Sequence, residues 1–296
     1  MFETRYCDHD LFDILIPKKN GNLLELSSKD FRRNRPTIKS IKVSENENVV
    51  RGFCIKGNIH VLINRKNKLI IIKKYLQNSK TWKTFGDLKC RHDFCASSFI
   101  GKIYIIGGKD YLKTVKVCTS CVQYDTNTTE INEIAQMNQT RLAAASTVYD
   151  GKIVVSGGMV YNGVQRVEET NTVETYDHIA DTWTYMHSMV ERRHFHSLVS
   201  MKSKLFAIGN FYTGEVYDKV TNKFTLIKRP TSSAINGAIQ ASLLGNEIVA
   251  FTEAGCTLMF YDTGKNEWCN KTYEWFDVFG CTTFVKIIIL KSLKGD

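Results

Sequence analysis

Short apolar runs separated by polar turns recur along this chain. Ile103-Tyr104-Ile105-Ile106, Ile153-Val154-Val155-Ser156 and Leu205-Phe206-Ala207-Ile208 are too short for helices and are rich in β-branched and aromatic residues. They read as half- or fully buried strands. Ala143–Val148, Leu11–Ile16, Leu23–Leu26 and Ile38–Val43 read the same way. No apolar run approaches a bilayer-spanning length, and Val285–Leu290 reads as one more buried strand.

An aromatic pair sets the period. Tyr75 is followed seven residues later by Trp82, and the same spacing joins Tyr176 to Trp183, Tyr217 to Phe224 and Tyr261 to Trp268. Tyr124 fits with Ile131 in the second place. A polar stretch such as Asp125-Thr126-Asn127 or Asp262-Thr263-Gly264 lies inside each interval, so each pair predicts two strands joined by a tight turn.

A second landmark precedes the pairs. Arg91 lies ten residues before Gly101, Arg141 ten before Gly151 and Arg193 ten before Ser203. The strand after each turn ends in Gly107-Gly108, Gly157-Gly158 or Gly209-Asn210. Met137 and Met189 each stand four residues before the next Arg. The tyrosines are 49, 52, 41 and 44 residues apart, a spacing that fits four-stranded propeller blades. Glycine at the double-glycine step permits positive φ and close chain approach. The Tyr and Trp rings are expected to fill the wedge between blades.

Arg, apolar strand, turn, Ile-Tyr-Ile-Ile-Gly-Gly, Tyr-Asp, Trp and Met, in that order, resemble the kelch repeat. The resemblance is strongest over Arg91–Met201, extends to Trp268 and weakens before Val49. Asn64-Arg65 and Thr252-Glu253 replace the double glycine in the flanking repeats. The resemblance implies an all-β, six-bladed kelch-type β-propeller in a single domain, 1–296. Its blades would be 8–48 plus 280–290, 49–90, 91–140, 141–192, 193–230 and 231–279. The first blade would hold three N-terminal strands, completed by the C-terminal strand. Thr283–Leu290 is therefore expected to pair with Leu11–Ile16. Such closure removes the exposed sheet edges that invite aggregation.

Charge is uneven. The formal net charge is +10, with 19 Lys+Arg against 9 Asp+Glu in residues 1–90 and 21 against 21 thereafter. Lys18, Lys19, Arg32, Arg33, Arg35, Arg65, Lys66, Lys68, Lys73 and Lys74 carry much of the excess. It suits an acidic partner or simply solvates loops. Nine irregularly spaced cysteines and an N-terminus without a signal-peptide pattern predict a cytoplasmic, thiol-bearing chain.

The sequence carries no catalytic constellation. Cys118-Thr119-Ser120-Cys121 lacks a second pair of matching spacing, and Cys90-Arg91-His92-Asp93-Phe94-Cys95 sits at a strand start. His194-Phe195-His196 would place two imidazoles on one strand face, too few for a metal site. Phosphate-binding and nucleophile-elbow motifs are missing from the sequence. No enzyme activity, cofactor or metal is expected, an oxidase-like propeller being the remote alternative. Neither a membrane nor nucleic acid is an expected partner, the basic residues carrying no reading motif.

The expected partner is a protein or peptide with acidic side chains. By resemblance to kelch-like proteins, Arg91, Arg141 and Arg193 fall at equivalent places in three blades. A ring of guanidiniums there would take carboxylates. Asn138, Arg192, His194 and Phe195 would add polar and aromatic contacts. Equally open is the reading that each Arg bonds nearby carbonyls and only fixes its blade. The loop Tyr161–Thr170 is a further specificity candidate. The resemblance implies a substrate-recognition propeller of a cullin ubiquitin-ligase adaptor, here without BTB and BACK domains. The alternative is an actin-binding cytoskeletal protein.

Overall fold

The computed structural model describes residues 12–17, 22–27, 38–42, 48–56, 58–65, 69–76, 78–89, 91–110, 116–161, 167–209, 214–229, 239–244, 247–252, 258–270 and 288–291. All regular structure in them is strand or bridge.

Among the described residues, the strands build, in chain order, six four-stranded antiparallel sheets. The first contains β1 (Phe12–Pro17), β2 (Asn22–Ser27) and β3 (Ile38–Lys42). The second runs through β4 (Asn48–Ile55), β5 (Asn58–Arg65), β6 (Leu69–Leu76) and β7 (Thr81–Lys89). The third uses β8 (Cys95–Phe99) and β9 (Lys102–Ile106), then crosses a small hairpin, β10 (Lys109–Asp110) with β11 (Lys116–Val117), to reach β12 (Cys121–Asp125) and β13 (Ile131–Ile134).

The fourth repeats this plan: β14 (Ala145–Tyr149), β15 (Lys152–Ser156), a hairpin of β16 (Met159–Tyr161) and β17 (Val167–Glu169), β18 (Val173–Asp177) and β19 (Thr182–Met186). The fifth is β20 (Ser197–Met201), β21 (Lys204–Ile208), β22 (Gly214–Asp218) and β23 (Lys223–Leu226). The sixth is β24 (Ile239–Leu244), β25 (Glu247–Thr252), β26 (Leu258–Asp262) and β27 (Glu267–Asn270).

Last comes β28 (Ile288–Lys291), which pairs with β1 through Phe12↔Lys291 to Leu15↔Ile288. The innermost strands touch in the order β4, β8, β14, β20, β24 and β28, and β28 also lies beside β4. Residues 8–11, 18–21, 28–37, 43–47 and 280–287 of the expected first repeat lie outside the described residues.

The aromatic pairs are cross-strand neighbours. Tyr75 faces Trp82, Tyr124 faces Ile131, Tyr176 faces Trp183, Tyr217 faces Phe224 and Tyr261 faces Trp268. Ring centroids in the four aromatic pairs are 5.1–5.2 Å apart. The residue five beyond each Tyr (Lys80, Thr129, Asp181, Asn222, Asn266) has positive φ and turns the chain. In three repeats its side chain accepts the Tyr hydroxyl at 2.7–2.8 Å. Asp125, Asp177, Asp218 and Asp262 cap the same turns by accepting backbone N–H bonds.

The core lies between sheets. Val199, Met201 and Phe206 of the fifth pack against Ile248, Met259 and Tyr261 of the sixth. Tyr104 and Ile106 of the third pack against Ile153, Val155, Tyr176 and Trp183 of the fourth. Polar clamps accompany this packing. Ala135, past β13, gives its N–H to Asp181 (2.9 Å) and its carbonyl accepts from Trp183 Nε1 (2.8 Å). Lys228 is held in the same way by Asn266 (3.1 Å) and Trp268 Nε1 (2.9 Å).

Blade-equivalent differences are compensated locally. Ile131 takes the Trp position in the third sheet, and Phe85 and Leu88 of β7 join its cluster. The β6–β7 register skips Phe85, pairing Ile72 with Gly86 and Lys73 with Thr84. A Cβ on Gly86 would stand 3.0 Å from Ile131 Cδ1, so the bulged edge strand is shaped to its neighbour.

Candidate functional site

In each sheet the first-to-second and third-to-fourth strand turns share one end, and the remaining connections share the other. The second end carries the hairpins β10–β11 and β16–β17 and the segments 135–144 and 187–196. Arg91, Arg141 and Arg193 all lie here.

Arg141 and Arg193 are built into the scaffold, as the blade-fixing alternative to a ring of guanidiniums expects. Both Arg–Glu pairs, Arg141–Glu174 at 3.0 Å and Arg193–Glu215 at 2.9 Å, have side chains with 0% exposure. Arg141 uses every N–H it has. Nε donates to Glu174 (3.2 Å), Nη1 to the carbonyls of Gly157 (2.7 Å) and Thr172 (3.0 Å), and Nη2 to Thr172 Oγ1 (2.8 Å) and Glu174 (3.0 Å). Burial pulls its pKa down and Glu174 opposes that shift. Arg193 repeats the scheme with Glu215 and the Gly209 carbonyl at 2.7 Å. Each carboxylate also gathers the segment before its Arg. Glu174 accepts from Asn138 N and Nδ2, both at 2.9 Å, and Glu215 accepts from Val190 N (2.6 Å) and Glu191 N (2.9 Å). Asn138 is thereby committed to the scaffold, donating also to the Trp183 carbonyl.

The double glycine is the junction. The Gly157 carbonyl takes its own sheet's Arg141, while Gly158 N–H donates to the next sheet's Arg193 carbonyl at 2.6 Å. Gly108 N–H reaches the Arg141 carbonyl at 2.8 Å in the preceding step. Gly107 and Gly157 have φ of 62° and 58°, and a Cβ on Gly107 would stand 2.6 Å from the Arg141 carbonyl oxygen. Only glycine meets both demands.

Two residues past each Arg, Asp93, Ala143 and Phe195 all have positive φ. Ala143 N–H donates to the Asp93 carbonyl (2.7 Å) and Phe195 N–H to the Ala143 carbonyl (2.9 Å), which ties successive sheets together near their inner strands. This kink also separates the two histidines expected on one strand face. His194 turns outward, with Nδ1 at 2.8 Å from Glu169 of β17. His196 is buried against Ser156 Oγ at 2.8 Å, and burial lowers its pKa to about 3.

Exposed at this end are Tyr161 (44%), Val167 (44%), Val190 (52%) and Phe195 (43%), with Arg192 beside them. The His194–Glu169 contact joins the 187–196 segment to β17, and Tyr161 N–H donates to Thr140 Oγ1 at 3.0 Å. Residues 162–166 of the candidate loop and Cys90 lie outside the described residues, as do Lys18, Lys19, Arg32, Arg33, Arg35, Lys66 and Lys68 of the basic first third. Burial raises the pKa of Cys121 to about 12, so it is no ready metal ligand. Among the described residues, no three His, Cys, Asp or Glu side chains are grouped to hold a metal.

Glu174 and Glu215 were missed in the sequence although a signal existed. Each stands two residues before its repeat's Tyr, and each repeat also carries the Arg. Tyr185 and Leu226 lie directly across from them on the outer strands.

A kelch motif model matches residues 140–190, the segment that carries Arg141, the double glycine, Glu174 and the Tyr176–Trp183 pair. Kelch-like protein 40 of Xenopus tropicalis is 35% identical over 136 residues, 45% of this chain and 20% of that protein. Kelch repeat and BTB domain-containing protein F47D12.7 of Caenorhabditis elegans is 35% identical over 130 residues, 40% of this chain and 21% of that protein. Kelch repeat protein C2 of cowpox virus is 24% identical over 98% of this chain and 56% of its own length. The match thus spans only about a fifth to a little over half of these relatives. The solved structure of YjhT shares the fold at a TM-score of 0.53 and 13% identity, covering 62% of this chain and 66% of that one. The chain thus carries a kelch motif over residues 140–190 and is similar in sequence to kelch-like and kelch repeat proteins.

Proposed function

We propose that this chain is a six-bladed propeller, closed by β28 on β1, that binds a partner protein through the end carrying β16–β17 and residues 187–196. The carrying observation is the exposed set Tyr161, Val167, Val190 and Phe195 on loops braced by two buried ion pairs. Aromatic and Arg side chains on a rigid scaffold are the composition of interaction hot spots. Contact of β28 with both β24 and β4 supports the closed ring.

The finer reading is substrate recognition for a cullin ubiquitin ligase. It draws on similarity to kelch-like proteins and to a relative whose name includes a BTB domain. On this reading the chain selects the partner and performs no chemistry itself. Cytosolic residence fits Cys95 and Cys121 as separate buried thiols.

Affinity capture from cells tests the proposal. Wild-type protein should enrich a defined set of proteins that Phe195→Asp loses while keeping its melting temperature. Equal enrichment by both proteins would contradict it.

A further inference from the structure

Three repeats place the same Arg; two complete its strut with a glutamate and one leaves it unfinished. In the fourth and fifth sheets, Nε and Nη2 of Arg141 and Arg193 converge on one carboxylate oxygen. The position two before the repeat's Tyr supplies that carboxylate. In the third sheet this position is Val122, and the acidic residue is displaced to Glu133, across the pair on the exposed edge strand. Arg91 still anchors through Nη1, to the carbonyls of Ser120 at 2.6 Å and Gly107 at 3.4 Å. Its Nε and Nη2 have no partner among the described residues, and the side chain is half-buried, where its two counterparts have no exposure.

We infer that Arg91 is an open carboxylate subsite, and that an Asp or Glu side chain of the partner takes the place that Glu174 and Glu215 fill internally in the next two repeats. This rests on the interaction reading above and names one chemical requirement of the partner. The guanidinium is preoriented, because the Ser120 bond fixes one end of its planar fork and leaves the Nε–Nη2 edge for a carboxylate. The half-buried setting strengthens the pairing relative to a fully solvated one. It also accounts for the departure of Arg91 from its counterparts: a strut with its own glutamate has nothing left to offer a ligand.

The test uses dodecapeptides selected by phage display on the wild-type chain, resynthesised with each Asp or Glu replaced by its amide. Affinities are read by fluorescence anisotropy. One acid-to-amide change should weaken binding roughly 10–100-fold on wild type, the range of a charge-assisted hydrogen bond. The same change should cost less than about threefold on Arg91→Gln, which keeps a donor for Ser120. Val122→Glu supplies the internal carboxylate and should abolish the acid preference; Arg91→Lys serves as the second variant should that protein not fold. Acid dependence that persists in Arg91→Gln, or selected peptides without an essential acid, would overturn the subsite and leave the interaction reading standing. Failure to select any peptide above an unrelated protein control would count against both.

Discussion

Arg141 and Glu174 meet at 3.0 Å with neither side chain exposed, and the arginine's remaining donors close on the carbonyls of Gly157 and Thr172. The pair binds three segments of chain: 137–141, the double glycine and the start of β18. Breaking it from one side leaves a buried charge. Glu174→Ala should therefore cost about 3–5 kcal/mol of unfolding free energy. The double substitution Arg141→Met with Glu174→Leu should cost less than the sum of its single changes. Chemical denaturation of the four proteins measures both.

His196 makes the fold sensitive to acid. Its pKa falls to about 3 in the folded chain, first because burial disfavours the imidazolium and then because Arg193, His194 and Arg141 are near. The unfolded chain binds this proton near pH 6.5, so the contribution is intact above that pH. It declines by about 1.4 kcal/mol per unit as pH falls from 6.5 towards 3. His60, lowered to about 4 mainly by burial, adds to the slope over the upper part of that window. Urea melts from pH 7 to 4 should show a shallower decline for His196→Leu than for wild type.

Ala143 occupies a left-handed conformation at φ 54°. Glycine relieves roughly 1–2 kcal/mol of steric cost there, against about 0.5–1 kcal/mol of added unfolded-state entropy. Ala143→Gly should leave stability unchanged or raise it by about 1 kcal/mol. The reverse kind of change, Gly157→Ala, should be severely destabilising, because its Cβ would run into the Arg193 carbonyl. Thermal melts of the two variants should move in opposite directions or differ by many degrees.

Trp183 Nε1 holds the preceding sheet through the Ala135 carbonyl at 2.8 Å. Trp183→Phe should cost about 1–3 kcal/mol, since the bond is lost and a carbonyl loses a partner. Trp82 Nε1 is buried and has no hydrogen-bond partner among the described residues. Trp82→Phe should therefore cost less than Trp183→Phe in the same denaturation assay.

The repeat itself was legible because backbone geometry forces it into the sequence. The Tyr-to-Trp spacing reports a direct cross-strand pair, and the double glycine reports positive φ beside a neighbouring carbonyl. The role of the arginines was not legible from spacing. The same residue at the same place is sealed where Glu174 or Glu215 lies within reach and half-open where Val122 stands instead. That contrast requires knowing which positions across the sheet face each other. Likewise His194 and His196 look like neighbours on one strand face until Phe195 bends the backbone between them.

Hydrogen exchange of the chain alone and in complex with a partner captured as described tests the central claim most directly. Exchange should slow in residues 138–142, 159–161, 167–169 and 190–196, while the opposite turns at 100–101, 178–181 and 219–222 stay unchanged. Protection confined to those opposite turns would contradict it.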